Sequence, residues 1–203
     1  MNTIAHSRQN GSVVALIGAN LIAIVLAIVE GWDLHELMLI YWAQSVIIGY
    51  FSVRRMLELT EFSTDGVSQN GRHLDATPAT QKSMAGFFTL HYGAFHLVYL
   101  VFILADERNA FQGNWLYLLL CATAFFFNHR YSFIEHRQRD ASRKPNIGNI
   151  MFFPYARIVP MHLTIIAGGA FGGASTGILL LFLGLKTVAD VIMHKIEHAA
   201  WRK

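Results

Sequence analysis

The chain has 203 residues, of which 54% are hydrophobic and only 14% charged, and it carries 15 Phe, 7 Tyr and 4 Trp. Soluble domains carry about a quarter charged residues, so disorder, a coiled coil and an ordinary cytosolic enzyme are excluded, while the lone Cys121 excludes a disulfide scaffold and a thiolate zinc module. With 13 acids beside 16 bases and no basic block, the net charge of +3 does not point to nucleic acid; a small polytopic membrane protein remains, with ten histidines.

A hydrocarbon core of about 30 Å needs about 20 mostly apolar residues per helix. That window predicts an all-α transmembrane bundle of six spans, roughly 12–29, 34–57, 83–104, 114–134, 151–172 and 175–195, forming one domain over residues 1–203. The first span is followed by Glu30-Gly31-Trp32-Asp33 instead of a small-x-small cleavage site, so it reads as a retained helix and not a signal peptide. Ala15, Ala19, Ala23 and Ala27 give it a small-residue stripe for close helix packing.

The second span opens at Asp33-Leu34-His35-Glu36 and closes at Arg54-Arg55, with Tyr41, Trp42 and Tyr50 in interfacial or packing roles. The polar loop 58–82 is full of turn signals (Asp65-Gly66, Asn70-Gly71, Thr77-Pro78) and is expected to be mobile. The third span carries His91 and His96. The fourth becomes polar at Asn128-His129-Arg130, with His136 just beyond it. The fifth holds Arg157 and His162, and joins the sixth through the small-residue run Gly168–Ala174.

Lys and Arg fix the orientation. Thirteen of the basic residues fall in the N-terminal arm, the two loops after the second and fourth spans and the C-terminal tail, whereas only Arg108 lies on the opposite face. By the positive-inside rule both termini are cytoplasmic and the chain is a multi-pass protein of the cell (plasma) membrane.

Ionisable groups inside a bilayer mark function by default. A rise of about 1.5 Å per residue puts His91 about 12 Å in from the cytoplasmic end, with His129, His162, Asp190, His194 and His198 at the midplane or in the cytoplasmic half. In the last span Lys186, Asp190, His194 and His198 recur every four residues along one helical face. Imidazoles at i and i+4 can chelate one ion, with Asp190 as a third ligand or an orienting acceptor. His91, His129, His162, Asp190, His194 and His198 are therefore the candidate metal ligands. His, Asp and Glu without thiolate suit zinc first, then iron or manganese.

The segment His194-Lys195-Ile196-Glu197-His198 also reads as H-x-x-E-H, with Glu197 as general base. His91 and His96 form an H-x4-H pair similar to the first histidine box of membrane desaturases. Five residues turn a helix by about 140°, however, and the adjacent His-His boxes of that family are missing. His91 is the ligand candidate of the two, and His96, between Tyr92 and Tyr99, is assigned to packing.

At these residues the chain resembles an uncharacterised family of bacterial six-helix membrane proteins, a domain of unknown function. The resemblance lies in Ile40-Tyr41-Trp42-Ala43-Gln44-Ser45-Val46-Ile47-Ile48-Gly49, His91-Tyr92-Gly93-Ala94-Phe95-His96, Asn128-His129 with Ser132-Phe133, Pro154-Tyr155-Ala156-Arg157-Ile158 with Met161-His162-Leu163-Thr164, and Lys186…Asp190…His194…Glu197-His198. Gln44-Ser45 stands where the family pattern implies Glu-Asn, and Asn128 where it implies Ser. The resemblance implies a six-helix membrane fold and brings no activity.

The leading expectation is a zinc-dependent membrane hydrolase acting on a lipid-like substrate, with Glu197 or Asp190 as base and Arg157 holding an anionic group or a developing oxyanion. Its site logic is similar to that of seven-helix ceramidase-like hydrolases. The alternatives are a metal or proton-coupled transporter, a haem-b protein with axial histidines, and a non-catalytic scaffold. Expected partners are membrane lipids, a lipid-like substrate and a second copy of the chain, and not nucleic acid.

Overall fold

A computed structural model describes residues 34–105, 115–171 and 176–200, together with Leu21, Ile24, Val25, Ile28 and Val29. Six helices lie among the described residues: α1 (Leu34–Leu57), α2 (Pro78–Ala105), α3 (Trp115–Asp140), α4 (Ile147–Phe152), α5 (Tyr155–Phe171) and α6 (Thr176–Ala200). Two short antiparallel strands, β1 (Ser68–Gln69) and β2 (Arg72–His73), sit between α1 and α2. The first expected span, 12–29, falls almost wholly outside the described residues. Among the described residues two helices, α1 and the Pro78–Leu104 stretch of α2, are long and apolar enough to cross a membrane.

Several helix ends follow from local chemistry. Thr77 caps α2: its Oγ1 accepts from the Thr80 amide at 3.2 Å, and Pro78 takes the first helical position, where a missing N–H costs nothing. The expected fifth span is two helices. Pro154 has no amide hydrogen to continue the ladder of α4, so the chain breaks at Phe153-Pro154 and restarts at Tyr155. Asn146 caps α4 through its side chain, which accepts from the Asn149 amide. Pro160 lies inside α5, and Thr164 Oγ1 donates to the Pro160 carbonyl at 2.8 Å.

The chain divides into two compact units, Met38–Tyr155 and the pair Met1–Leu37 with Ala156–Lys203. In the first unit the buried residues include Phe51 and Met56 of α1, Phe88, Tyr92, His96 and Tyr99 of α2, Phe133 of α3, and Ile147 and Ile150 of α4. In the second they include Leu34 of α1, Ile158, Met161, Thr164 and Ala167 of α5 and Ile178, Leu179, Phe182 and Leu183 of α6.

The loop after α1, expected to be mobile, is folded. Asn70 and Gly71 both have positive φ, 51° and 74°, as the tight turn of a two-residue hairpin requires. The Ser63 amide donates to the Pro145 carbonyl at 2.9 Å, and the Ile147 amide donates to the Ser63 carbonyl at 3.0 Å. Asn146 Nδ2 adds a bond to the Asp65 carbonyl at 2.8 Å. From α2, Gln81 Nε2 reaches the carbonyls of Met56 at 2.7 Å and Leu59 at 2.9 Å. These two acceptors at the end of α1 have no further helical turn to serve them.

Candidate functional site

Within the first unit, α1 and α2 are joined by a buried polar clamp. Tyr92 Oη donates to the Ser45 carbonyl at 3.0 Å, so the 2.7 Å contact between the two hydroxyls is Ser45 Oγ donating to Tyr92. Trp42 Nε1 donates to the His96 carbonyl at 2.8 Å. Gly49 makes the approach possible: a Cβ there would lie 2.6 Å from Tyr92 Cε1. Along α2 the rings of Phe88, Tyr92 and His96 stack at 4.7 and 4.2 Å. Donors in this group end largely on main-chain carbonyls, an arrangement that fixes helices and does not pass protons from side chain to side chain.

On the adjoining flank of α2 is a second, open arrangement. His91 Nδ1 lies 2.9 Å from Tyr155 Oη. The imidazole stacks on Phe87 at 5.2 Å and meets Phe95 edge-on at 5.1 Å. Tyr155 is itself wedged edge-on against Phe88 and Tyr92, at 5.6 and 5.5 Å. His91 is exposed, and so are its apolar neighbours on the helix, Leu90 at 78% and Phe87 at 55%. An imidazole whose Nδ1 is engaged by a hydroxyl keeps its Nε2 directed to whatever approaches that flank.

His129 is half-buried on α3, and His162 is exposed on α5. The side chains of Arg157, Asp190, His194, Glu197 and His198 lie outside the described residues, but the backbone of α6 is helical through Ala200. Positions 186, 190, 194 and 198 therefore fall on successive turns of a continuous helix, each about 40° around from the last. Among the described residues no three His, Cys, Asp or Glu side chains converge. Helix α3 runs six residues past the expected span end, and this carries His136 and Asp140 into the fold. Arg55 of α1 holds Asp140 with two bonds, Nε at 2.7 Å and Nη2 at 3.0 Å. His136 is half-buried beside them, and burial, aided by the Arg55 charge, pushes its pKa down to about 4.

The chain matches the model of a family of unknown function, DUF6498, over residues 3–203. It belongs to that family. No curated protein matches, and no solved structure matches. Membership meets the expectation of an uncharacterised family and extends the matched region beyond the second to sixth spans, to nearly the whole chain.

In this DUF6498 chain the His91–Tyr155 contact and the Arg55–Asp140 pair lie outside what the sequence led one to expect, whereas the packing role expected of His96 agrees with its burial. A signal existed for His96: Phe88, Tyr92, His96 and Tyr99 recur at helical spacing, and that face of α2 is the buried one. Tyr155 had none, because its contact with His91 joins residues 64 apart.

Proposed function

We propose that the protein is a multi-pass inner-membrane protein of six spans in one transmembrane domain, with both termini cytoplasmic, and that it is a metal-dependent hydrolase of a lipid-like substrate. The observation that carries the reading is the His91–Tyr155 pair, an imidazole and a phenol open to the flank of an otherwise apolar helix. Polar groups on a lipid-facing surface are costly unless something membrane-borne uses them. The distribution of polarity supports the membrane setting. Leu97 and Leu119 are more than half exposed, whereas Ser45, His96 and Thr164 are buried, and only 28% of the apolar window of α1 or α2 is buried. A core helix of a soluble protein is mostly buried.

The metal part of the proposal rests on α6. Its unbroken helix supports Asp190, His194 and His198 as ligand positions on one face, with His91, His129 and His162 as the further candidates. A divalent ion, zinc before iron or manganese, would bring the pKa of a bound water toward 7. Glu197 would take the proton, and Arg157 would hold negative charge on the substrate. Hydrolysis ranks above proton transport because the Trp42, Ser45, Tyr92 and His96 bonds end largely on carbonyls.

The test is incubation of the detergent-purified protein with a bacterial lipid extract, followed by mass spectrometry of the products. The proposal expects a released lipid fragment that is lost with a chelator and in His91→Ala. No turnover, or turnover indifferent to chelator, overturns it.

A further inference from the structure

His96 carries a nitrogen that no hydrogen bond among the described residues uses. Its Nδ1 lies 2.8 Å from the Tyr92 carbonyl, which can only accept, so Nδ1 holds the proton and Nε2 is a bare lone pair. The residue is 4% exposed. Its Nε2 is buried, with no hydrogen-bond partner among the described residues. Roughly 90% or more of buried polar groups are matched, so an exception inside an ordered clamp points to something from outside the chain.

The ring is not free to turn and find another partner. It is stacked on Tyr92 at 4.2 Å and 28°, with Tyr99 edge-on at 6.1 Å. Tyr92 is held in turn by Ser45 and by the close approach at Gly49. The Trp42 indole fixes the backbone of His96 through its carbonyl. Such a nitrogen is preorganised, and its tautomer is set by the bond on the other side of the ring.

Chemistry narrows the occupant. An anion is repelled by a lone pair. A metal ion needs three or four ligands, and no three His, Cys, Asp or Glu converge among the described residues. A neutral O–H donor satisfies a lone pair in an apolar, aromatic surrounding with one bond. We infer that His96 Nε2 is the acceptor of a binding site for a neutral hydroxyl group, supplied by water or by the alcohol head of a membrane lipid. The inference stands whether or not the protein binds metal.

The test is nitrogen NMR on the full-length protein in phosphatidylcholine nanodiscs, with [15N]histidine and [1-13C]tyrosine labels. The His96 Nδ1 signal is assigned by its dipolar coupling to the Tyr92 carbonyl carbon, so no variant has to fold. The inference expects an Nδ1–H ring whose Nε2 signal is shifted upfield from the free lone-pair position. A cross-peak from Nε2 to water protons in the plain nanodiscs identifies water. An upfield shift that appears only when diacylglycerol is added identifies the lipid alcohol. A free lone-pair position in both preparations, or a proton on Nε2, overturns the inference.

Discussion

Gly49→Ala puts the packing of α1 on α2 to the test. The added carbon would sit 2.6 Å from Tyr92 Cε1 and 2.9 Å from Cδ1, whereas carbon atoms rest at about 3.5–4.0 Å. The Tyr92 ring would have to retreat by about 1 Å, yet it is gripped on every side. Phe88 and His96 stack on its faces, Tyr155 meets it edge-on, and its hydroxyl is held by Ser45. In a helix interior Gly→Ala alone gains about 1 kcal/mol. Against that stand about 1–3 kcal/mol of overpacking and two hydrogen bonds worth about 0.5–1.5 kcal/mol each. The net is a loss of about 1–5 kcal/mol, read as a lower midpoint in thermal unfolding of the detergent-solubilised protein. In a Tyr92→Ala background the same substitution has nothing to strike and should cost nothing. A neutral or stabilising Gly49→Ala, or an equal loss in both backgrounds, refutes the packing argument.

The remaining predictions concern other parts of the first unit. Arg55→Ala leaves the largely buried Asp140 carboxylate without its two bonds and should cost about 2–3 kcal/mol; Asp140→Asn with Arg55 retained should cost less, and thermal melts of the pair decide. His136 titrates near 6.5 when unfolded but is pushed down to about 4 in the fold. The neutral ring is the form the fold prefers, so stability from this group is full above about pH 6.5 and is lost as pH falls from there toward about 4. Melting curves across that window should show the slope, and His136→Gln should flatten it. Gln81→Leu strips the Met56 and Leu59 carbonyls of their donor and should cost about 1–3 kcal/mol, with faster proteolysis of the loop 58–77 as its readout.

Hydropathy makes the existence of most helices legible, because a 20-residue apolar run has few other readings. Leu34–Leu57 is found at its expected limits. The ends of the others depend on features such a window does not weigh. The Thr77-Pro78 cap starts α2 five residues before the expected limit. Arg, Glu and His sustain α3 as far as Asp140 because they are tolerated or favoured in helices. Pro154 splits the fifth span, and the residue before a proline signals that break in the sequence.

The candidate site was legible only as a set of residue types at a common depth. His91 and His96 lie five residues apart, about 140° around one helix, and only His96 shares the helical spacing of Phe88, Tyr92 and Tyr99. Burial assigns His96 to the core and His91 to the flank. Contacts such as His91 with Tyr155 and Arg55 with Asp140 join residues 64 and 85 apart. No local pattern encodes pairs at that separation.

The account turns on whether the protein holds a metal at the α6 positions, and elemental analysis of the purified protein tests this most directly. It predicts a stoichiometric divalent metal, zinc first, in the wild-type chain and none in His194→Ala/His198→Ala. A folded, metal-free wild-type protein, or metal retained by the double variant, contradicts it.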